Sequence, residues 1–415
     1  MQESLPWWSA TRAVLAAAII MACTLPGRTH GMGIITTRLL ESFEGLGEVG
    51  LANINLVATL VGSLLCIPIG WLLDRVRIST VALVCILGLG GAVWGMCQSH
   101  TLLALAISIT LTRAIGQSML SVISLAVIGK SFPRRPGAIM GGYAIVMTMM
   151  MAVWTGYLAW RVSAMPWRVT WEELSYGLFL LGPVVWLLSW NLPGAISPRS
   201  DEQSSHVGSV SSATLKQALA TPCFWMFSIC ISLFGMISAG LSLFQQSIFA
   251  DRGIEESIYH QVLVLGLLVG LIANLLGGYL ATKMPLQVLQ GVAMLLLAVS
   301  LAALPFLSTT MHAYSFCIVY SAGGGILTVL FFTVWGQAFG TRSLGSIQGA
   351  AQILTVIASA AGPLLFAQSH AQLGSYRPVL LTYVSICVLL GFASLTIRVP
   401  SAMDGDWQNS ESLTP

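Results

Sequence analysis

Charge is what this chain has least of. Eighteen lysines and arginines face fifteen aspartates and glutamates in 415 residues, 8% in all, where a soluble domain carries about 25%. Together with 56% hydrophobic residues and a mean hydropathy of +0.84, this excludes a soluble globular fold and points to an integral membrane protein. The formal net charge of +3 is too small to call for a nucleic-acid partner. CxxC pairs are absent: Cys23, Cys66, Cys85, Cys97, Cys223, Cys230, Cys317 and Cys387 lie within or at the ends of apolar runs. They read as small buried residues, neither a disulfide frame nor a metal site. There is no Walker loop, no His/Cys cluster at metal spacing and no Ser-His-Asp context, so neither an enzyme nor a cofactor is expected. Long polar segments are scarce too. Residues 193–217, rich in serine and carrying Asp201, Glu202 and His206, form the one such stretch inside the chain.

What fills the sequence is apolar runs. A bilayer core about 30 Å thick needs about 20 apolar residues per helix. Twelve runs qualify: 10–37, 48–73, 78–97, 101–129, 137–160, 173–192, 222–249, 258–282, 286–306, 312–338, 345–369 and 377–398. The expectation is an all-α integral membrane protein of twelve transmembrane helices in two six-helix pseudo-symmetric bundles, 1–192 and 218–400. Residues 193–217 read as a flexible cytoplasmic linker and 401–415 as a cytoplasmic tail. No small-residue cleavage site follows Arg12 and the first run, so helix 1 is expected to be retained.

Basic residues set the orientation. With the N-terminus inside, Arg12, Arg75, Arg77, Lys130, Arg134, Arg135, Arg199, Lys216, Lys283, Arg342 and Arg398 are cytoplasmic, and Arg38, Arg161, Arg168, Arg252 and Arg377 lie outside. Both termini are then cytoplasmic in a multi-pass protein of the cell membrane. Trp7, Trp8, Trp167 and Trp171 suit interfacial belts. Only Arg28 and Arg113 fall deep inside a predicted span.

Four stretches carry a family resemblance. Gly70-Trp-Leu-Leu-Asp-Arg-Val-Arg77 closes the second run with an acidic-basic pair, and Gly278-Tyr-Leu-Ala-Thr-Lys-Met284 is its degenerate copy in the second half. The first resembles the loop between helices 2 and 3 of the major facilitator superfamily of secondary transporters, although Val76-Arg77-Ile78 departs from the end of that pattern. Arg113-Ala-Ile-Gly-Gln117, followed by Lys130-Ser-Phe-Pro-Arg-Arg-Pro-Gly-Ala-Ile-Met-Gly141, resembles helices 4 and 5 of its monocarboxylate-transporter-like and oxalate-formate-antiporter-like members. Thr221-Pro-Cys-Phe-Trp225 is similar to the opening of their seventh helix. Phe339-Gly-Thr-Arg-Ser-Leu-Gly-Ser-Ile-Gln-Gly349, with Gly362-Pro363 beyond it, is similar to the opening of their eleventh. The resemblance implies a gating set of Gly70, Asp74, Arg75, Arg134, Arg135, Lys283 and Arg342, with Asp74 capping helix 11 near Gly345 and Ser346. For the arginines, plain positive-inside anchoring is the alternative.

Candidate binding residues start with Arg113. An arginine at mid-span costs at least ~2.5 kcal/mol, so it must face a partner or a wet cavity. It is either a fixed charge beside a transport pathway or a structural donor to carbonyls within the bundle. Pro26-Gly-Arg-Thr-His-Gly31 weakens helix 1 near its middle, a defect tolerated at membrane depth where it lines a cavity. Arg28 and His30 lie about 200° apart on an ideal helix, so both face one way only if the helix is distorted. Either could bind a carboxylate, Arg28 by a bidentate contact and His30 in a protonation-dependent way; alternatively, helix 1 starts earlier and both sit at the outer interface. The resemblance places His30 near the family's helix 1 lysine and Arg113 on its helix 4 arginine. The Asp and Arg that proton-coupled members carry on helix 8 are replaced by Gly270 and Asn274, which weakens proton symport. Gln117, Asn53, Asn55, Gln245, Gln246, His260, Asn274, Gln337, Gln348 and Gln352 complete the polar inventory, with Gln117, Asn53, Gln245, Asn274 and Gln352 taken as substrate contacts. Amides in a bundle more often bond across helices, at ~0.6 kcal/mol each.

The expected function is alternating-access transport, secondary active or facilitative, of a small monocarboxylate-like organic anion by a monomer in the bilayer. Export of amphipathic or drug-like compounds is the alternative. A transporter-shaped receptor is a remote third.

Overall fold

The computed structural model describes residues 7–73, 75–131, 136–190, 192, 213–340 and 344–400, and all regular structure among them is helical. The first predicted span is broken. Helix α1 (Trp7–Cys23) runs into a 3₁₀ turn at Leu25–Gly27, and Arg28 is extended at φ −88°, ψ 151°. Short helices α2 (Thr29–Gly33) and α3 (Thr36–Ser42) then complete the crossing. Pro26 has no N–H to continue the ladder, so the break falls where proline dictates. The second span divides in the same way into α4 (Gly47–Leu64) and α5 (Cys66–Leu73), because Pro68 removes the bond that would reach back to Leu64.

Then come α6 (Ile78–Cys97) and α7 (Leu102–Thr112), the latter started by Thr101, whose hydroxyl accepts from Ala104 N at 3.2 Å. A π-helical turn, Arg113–Leu120, joins α7 to α8 (Ser121–Ser131). Helices α9 (Pro136–Ala164) and α10 (Trp167–Ser189) follow. In the second half, the one-turn α11 (Leu215–Leu219) precedes α12 (Pro222–Ala250), α13 (Glu256–Leu280), α14 (Leu286–Ala303), α15 (Thr310–Phe339), α16 (Leu344–Leu373) and α17 (Arg377–Thr396). Among the described residues, ten spans are long and apolar enough to cross a bilayer. The remaining two of the twelve expected runs are helical as well: the interrupted α1 and the 23-residue α10, whose early turns carry Arg168, Glu172 and Glu173.

The chain packs as two compact units. Of the described residues, one comprises those up to 192 with the short stretches 242–247 and 259–264; the other comprises 213–241, 248–258 and those from 265 to 400. In the first unit, Gly90 lies against the Phe179 ring and Ser175 donates to Gly90 O at 3.0 Å, so α6 and α10 meet closely. Arginines close helix ends there. Arg12 donates to Leu187, Leu188 and Trp190 carbonyls at the end of α10, Arg38 to Val162 and Met165 carbonyls at the end of α9, and Arg168 to Cys97 O at the end of α6. Each satisfies terminal carbonyls that have no partner within their own helix. Trp167 and Trp171, expected in an interfacial belt, are buried at 4% and 0% exposure, and Trp167 Nε1 donates to Ser42 Oγ. Both rings therefore pack against neighbouring helices.

The second unit is joined by close backbone contact. Gly291 faces Gly391 O, Gly323 faces Ala293 O and Gly362 faces Met236 O, each with no room for a side chain. Gln290 Nε2 adds a bond to Ser394 Oγ at 3.2 Å. All eight cysteines are free, and only Cys66 is not fully buried.

Candidate functional site

Two irregularities in the first unit fit one another. Gly27, in the break of helix 1, lies directly on the π turn of helix 4. A Cβ on Gly27 would stand 2.4 Å from Thr112 O and 3.0 Å from Gly116 Cα; one on Gly116 would stand 3.1 Å from Gly27 Cα. The approach leaves no room for a side chain at Gly27 and little at Gly116. It places Arg28 and Thr29, just past the break, beside Arg113 and Gln117, which lie on the turn itself. π turns inserted in α-helices recur at functional sites.

Arg113 is 1% exposed. Its Nη1 donates to Gln117 Oε1 at 2.7 Å and Thr59 Oγ1 at 3.2 Å, and its Nη2 donates to Thr29 Oγ1 at 3.2 Å. Its Nε is buried with no hydrogen-bond partner among the described residues. Arg28 Nε donates to Thr24 Oγ1 at 2.7 Å, while Nη2 meets Met21 Sδ at 2.8 Å and Ser121 Oγ at 3.3 Å. Thr24 spends its own proton on Met21 O, which leaves its oxygen free to accept. Tyr143 from α9 lies within electrostatic reach of Arg28. Ser124 donates to Ala17 O, so Tyr143 is the donor in the 2.8 Å contact between the two hydroxyls. His30 feels the charges of both Arg28 and Arg113, and its Nε2 is buried without a partner among the described residues.

Among the described residues no carboxylate bonds to either guanidinium; every hydrogen-bond partner is neutral. Buried charges are ordinarily paired. Two arginines without counter-charge, with an imidazole between their fields and a ring of hydroxyls, form a site whose missing component is negative.

The structure therefore brings together Arg28, His30, Arg113 and Gln117. The extended Arg28 supplies the distortion that lets consecutive residues after Gly27 serve one site. Asn53 is exposed on α4 and lies about 120° around the helix from Thr59. Asn55, 3% exposed, shares the Thr59 face instead. Gln245 on α12 and Asn274 on α13 are half-buried, and Gln352 on α16 is exposed. Asn274 and Gln352 belong to the second unit, Gln245 to the stretch grouped with the first. Of the gating set, Arg75 and Lys283 are exposed in turns and Gly70 lies on α5; Asp74, Arg134, Arg135 and Arg342 fall outside the described residues. The sequence reading passed over Met21, Thr24, Thr29, Thr59, Ser121 and Tyr143. Spacing was a usable signal for two of them: Thr24 and Met21 precede Arg28 by four and seven residues, one helical face.

Three solved structures share the fold over nearly their whole length. A mutant of a peptide transporter has a TM-score of 0.74 at 13% identity, covering 93% of this chain and 94% of that one. A D-xylose–proton symporter gives 0.73 at 13%, covering 95% and 99%. A bacterial homologue of the human lysosomal transporter Spinster, inward-facing and unoccupied, gives 0.66 at 16%, covering 93% and 94%. No curated protein sequence matches the chain. The sequence model described as Major Facilitator Superfamily matches residues 13–363. With its helical spans and its transporter-like architecture, the chain belongs to the major facilitator superfamily, a multi-pass membrane transporter and not an enzyme.

Proposed function

We propose that this transporter carries a small organic anion of the monocarboxylate type by alternating access. The observation that supports this reading is the pair of guanidiniums, Arg28 and Arg113, bonded only to neutral groups. A ligand carboxylate entering the site meets the unpartnered Nε of Arg113 and the free edge of Arg28, and charge-assisted contacts of this kind are about twice as strong as neutral ones. Neutralising the buried charge then permits the conformational exchange of alternating access. Arg75, Lys283 and, outside the described residues, Asp74, Arg134, Arg135 and Arg342 are the proposed gate, with Gly70 at its hinge. The protein works as a monomer in the cell membrane with both termini in the cytoplasm. Exchange or facilitated diffusion fits at least as well as proton symport, because among the described residues His30 is the one central titrating candidate and no intramembrane carboxylate offers a proton carrier.

The test is thermal stability of the purified protein across a carboxylate and nutrient panel, since a ligand that binds only the folded state raises its apparent stability. A carboxylate that stabilises wild type but neither Arg28→Gln nor Arg113→Gln supports the anion site. The second unit, where Phe316 and Tyr320 stack at 5.6 Å and Phe366 packs on Tyr383 at 5.7 Å, favours a second reading, export of amphipathic compounds. Neutral amphiphiles stabilising all three proteins, with carboxylates inert, would put that reading in place of the first.

A further inference from the structure

Away from the arginine pair, two other cations converge on one residue. Arg12 Nη2 reaches Leu187 O, Leu188 O and Trp190 O at 3.3, 3.1 and 2.9 Å, at the carbonyl end of α10. Arg77, just ahead of α6, lies with its guanidinium 5.2 Å over the Trp190 ring. The Trp186 ring lies 4.5 Å from that of Trp190 and extends the aromatic surface. One arginine is therefore held by the carbonyl of Trp190 and the other by its face. Neither has an acidic partner among the described residues.

The chemistry of this corner is unbalanced in a specific way. Carbonyls at a helix C-terminus carry only a partial negative charge, so Arg12 is not neutralised, and they occupy a single one of its nitrogens. The guanidinium of Arg77 is attracted to the ring face and donates no side-chain hydrogen bond among the described residues, so its N–H groups are available to a ligand. Arg77 is exposed, Trp190 is 37% exposed, and Leu187 beside it is 62% exposed. Two guanidiniums beside the end of α10, a part-exposed tryptophan and the exposed aliphatic surface of Leu187 match a ligand with an anionic head and an apolar tail. Basic pockets between transmembrane helices at the membrane face select such headgroups, and tryptophan favours that depth.

We propose that Arg12, Arg77 and Trp190 form a binding site for the phosphate of an anionic phospholipid, on the membrane face where α1 begins and α10 ends. The lipid joins α1, the approach to α6 and the end of α10 through one headgroup, and so stabilises the first unit from outside.

The experiment uses the full chain in nanodiscs of phosphatidylcholine with or without phosphatidylglycerol, reading the unfolding midpoint, and native mass spectrometry to count retained phosphatidylglycerol. Wild type is expected to gain stability from phosphatidylglycerol. Arg77→Gln should unfold like wild type in pure phosphatidylcholine, lose most of that gain and retain phosphatidylglycerol about fivefold less well, the effect of one basic residue at an anionic surface. Arg77→Lys keeps the charge without the forked guanidinium donors and is expected to fall between. Arg12→Gln also uncaps α10, so its stability in pure phosphatidylcholine is the reference for its lipid response. Inorganic phosphate is expected to stabilise none of the proteins. Equal stabilisation of wild type and Arg77→Gln by phosphatidylglycerol, or none of either, overturns the site. Stabilisation of wild type by inorganic phosphate alone to the same extent overturns the assignment to a lipid.

Discussion

The two units solve the same problem, packing helices in an apolar solvent, and both use close glycine contacts. Among the described residues, however, the first adds a set of arginines that the second lacks. The first is held by arginines: Arg12, Arg38 and Arg168 close the ends of α10, α9 and α6, Arg161 pairs with Glu173, and Arg28 and Arg113 sit inside. The second is held by glycines that let backbones touch, at Gly291, Gly323, Gly325 and Gly362. Its one cation–ring contact among the described residues is Arg377 over Phe306. Hydrogen bonds between helices contribute little more in a membrane than in water, and close van der Waals packing contributes the rest. Charge in the first unit therefore exceeds what stability needs, and its surplus is concentrated at the candidate site.

Substitutions that break this contrast can be ranked. Arg113→Gln is expected to have the largest effect: removing a charged hydrogen-bonding group of ~1.5–3 kcal/mol weakens anion binding roughly 10- to 100-fold in a direct titration. Next comes a matched pair of alanines. Gly27→Ala drives a Cβ to 2.4 Å from Thr112 O, and Gly362→Ala drives one to 2.1 Å from Met236 O. Both are expected to lower unfolding stability by ~1–3 kcal/mol through overpacking. Only Gly27→Ala should also lose anion affinity, because it displaces Arg28 from Arg113; equal affinity loss in both would erase the division of labour between the units. Arg38→Met should cost ~1 kcal/mol through uncapping of α9, with anion binding unchanged. Smallest is Tyr143→Phe, which removes one hydroxyl donor at the edge of the site, costs no more than ~1 kcal/mol and leaves affinity within a few-fold of wild type.

Much of this was legible in advance because bilayer physics is severe. Twelve runs could be read as spans since a continuous apolar run of about 20 residues in lipid satisfies its backbone within itself only as a helix. Arg28 and Arg113 stood out because arginine at that depth is costly. What could not be read is how they meet. Pro26 announced a weak point, yet the break is completed by Gly27 seating against Gly116, which lies on a different span, and a π turn leaves no compositional mark in Arg-Ala-Ile-Gly-Gln. Asn53 stands out in the sequence and Thr59 does not, because amides are conspicuous in apolar sequence, whereas threonines hide by returning their hydroxyls to the helix, as Thr59 does with Asn55 O at 2.7 Å. Its oxygen can still accept from Arg113.

The π turn also changes what residue numbers mean along helix 4. An α-helix advances about 100° per residue, and a turn closed by i→i+5 bonds holds one residue more than its surroundings. Counted on a regular helix, Ser121 points about 80° away from Arg113; with the extra residue taken out of the count, the difference falls to about 20°. The surplus residue thus acts as a compass correction that keeps the hydroxyl of Ser121 on the side of Arg28. Deleting one residue between Arg113 and Leu120 would straighten the helix and leave both of its ends in phase. What would vanish is the swelling on which Gly27 rests, so the two halves of the crossing would stay aligned while the first helix lost its seat.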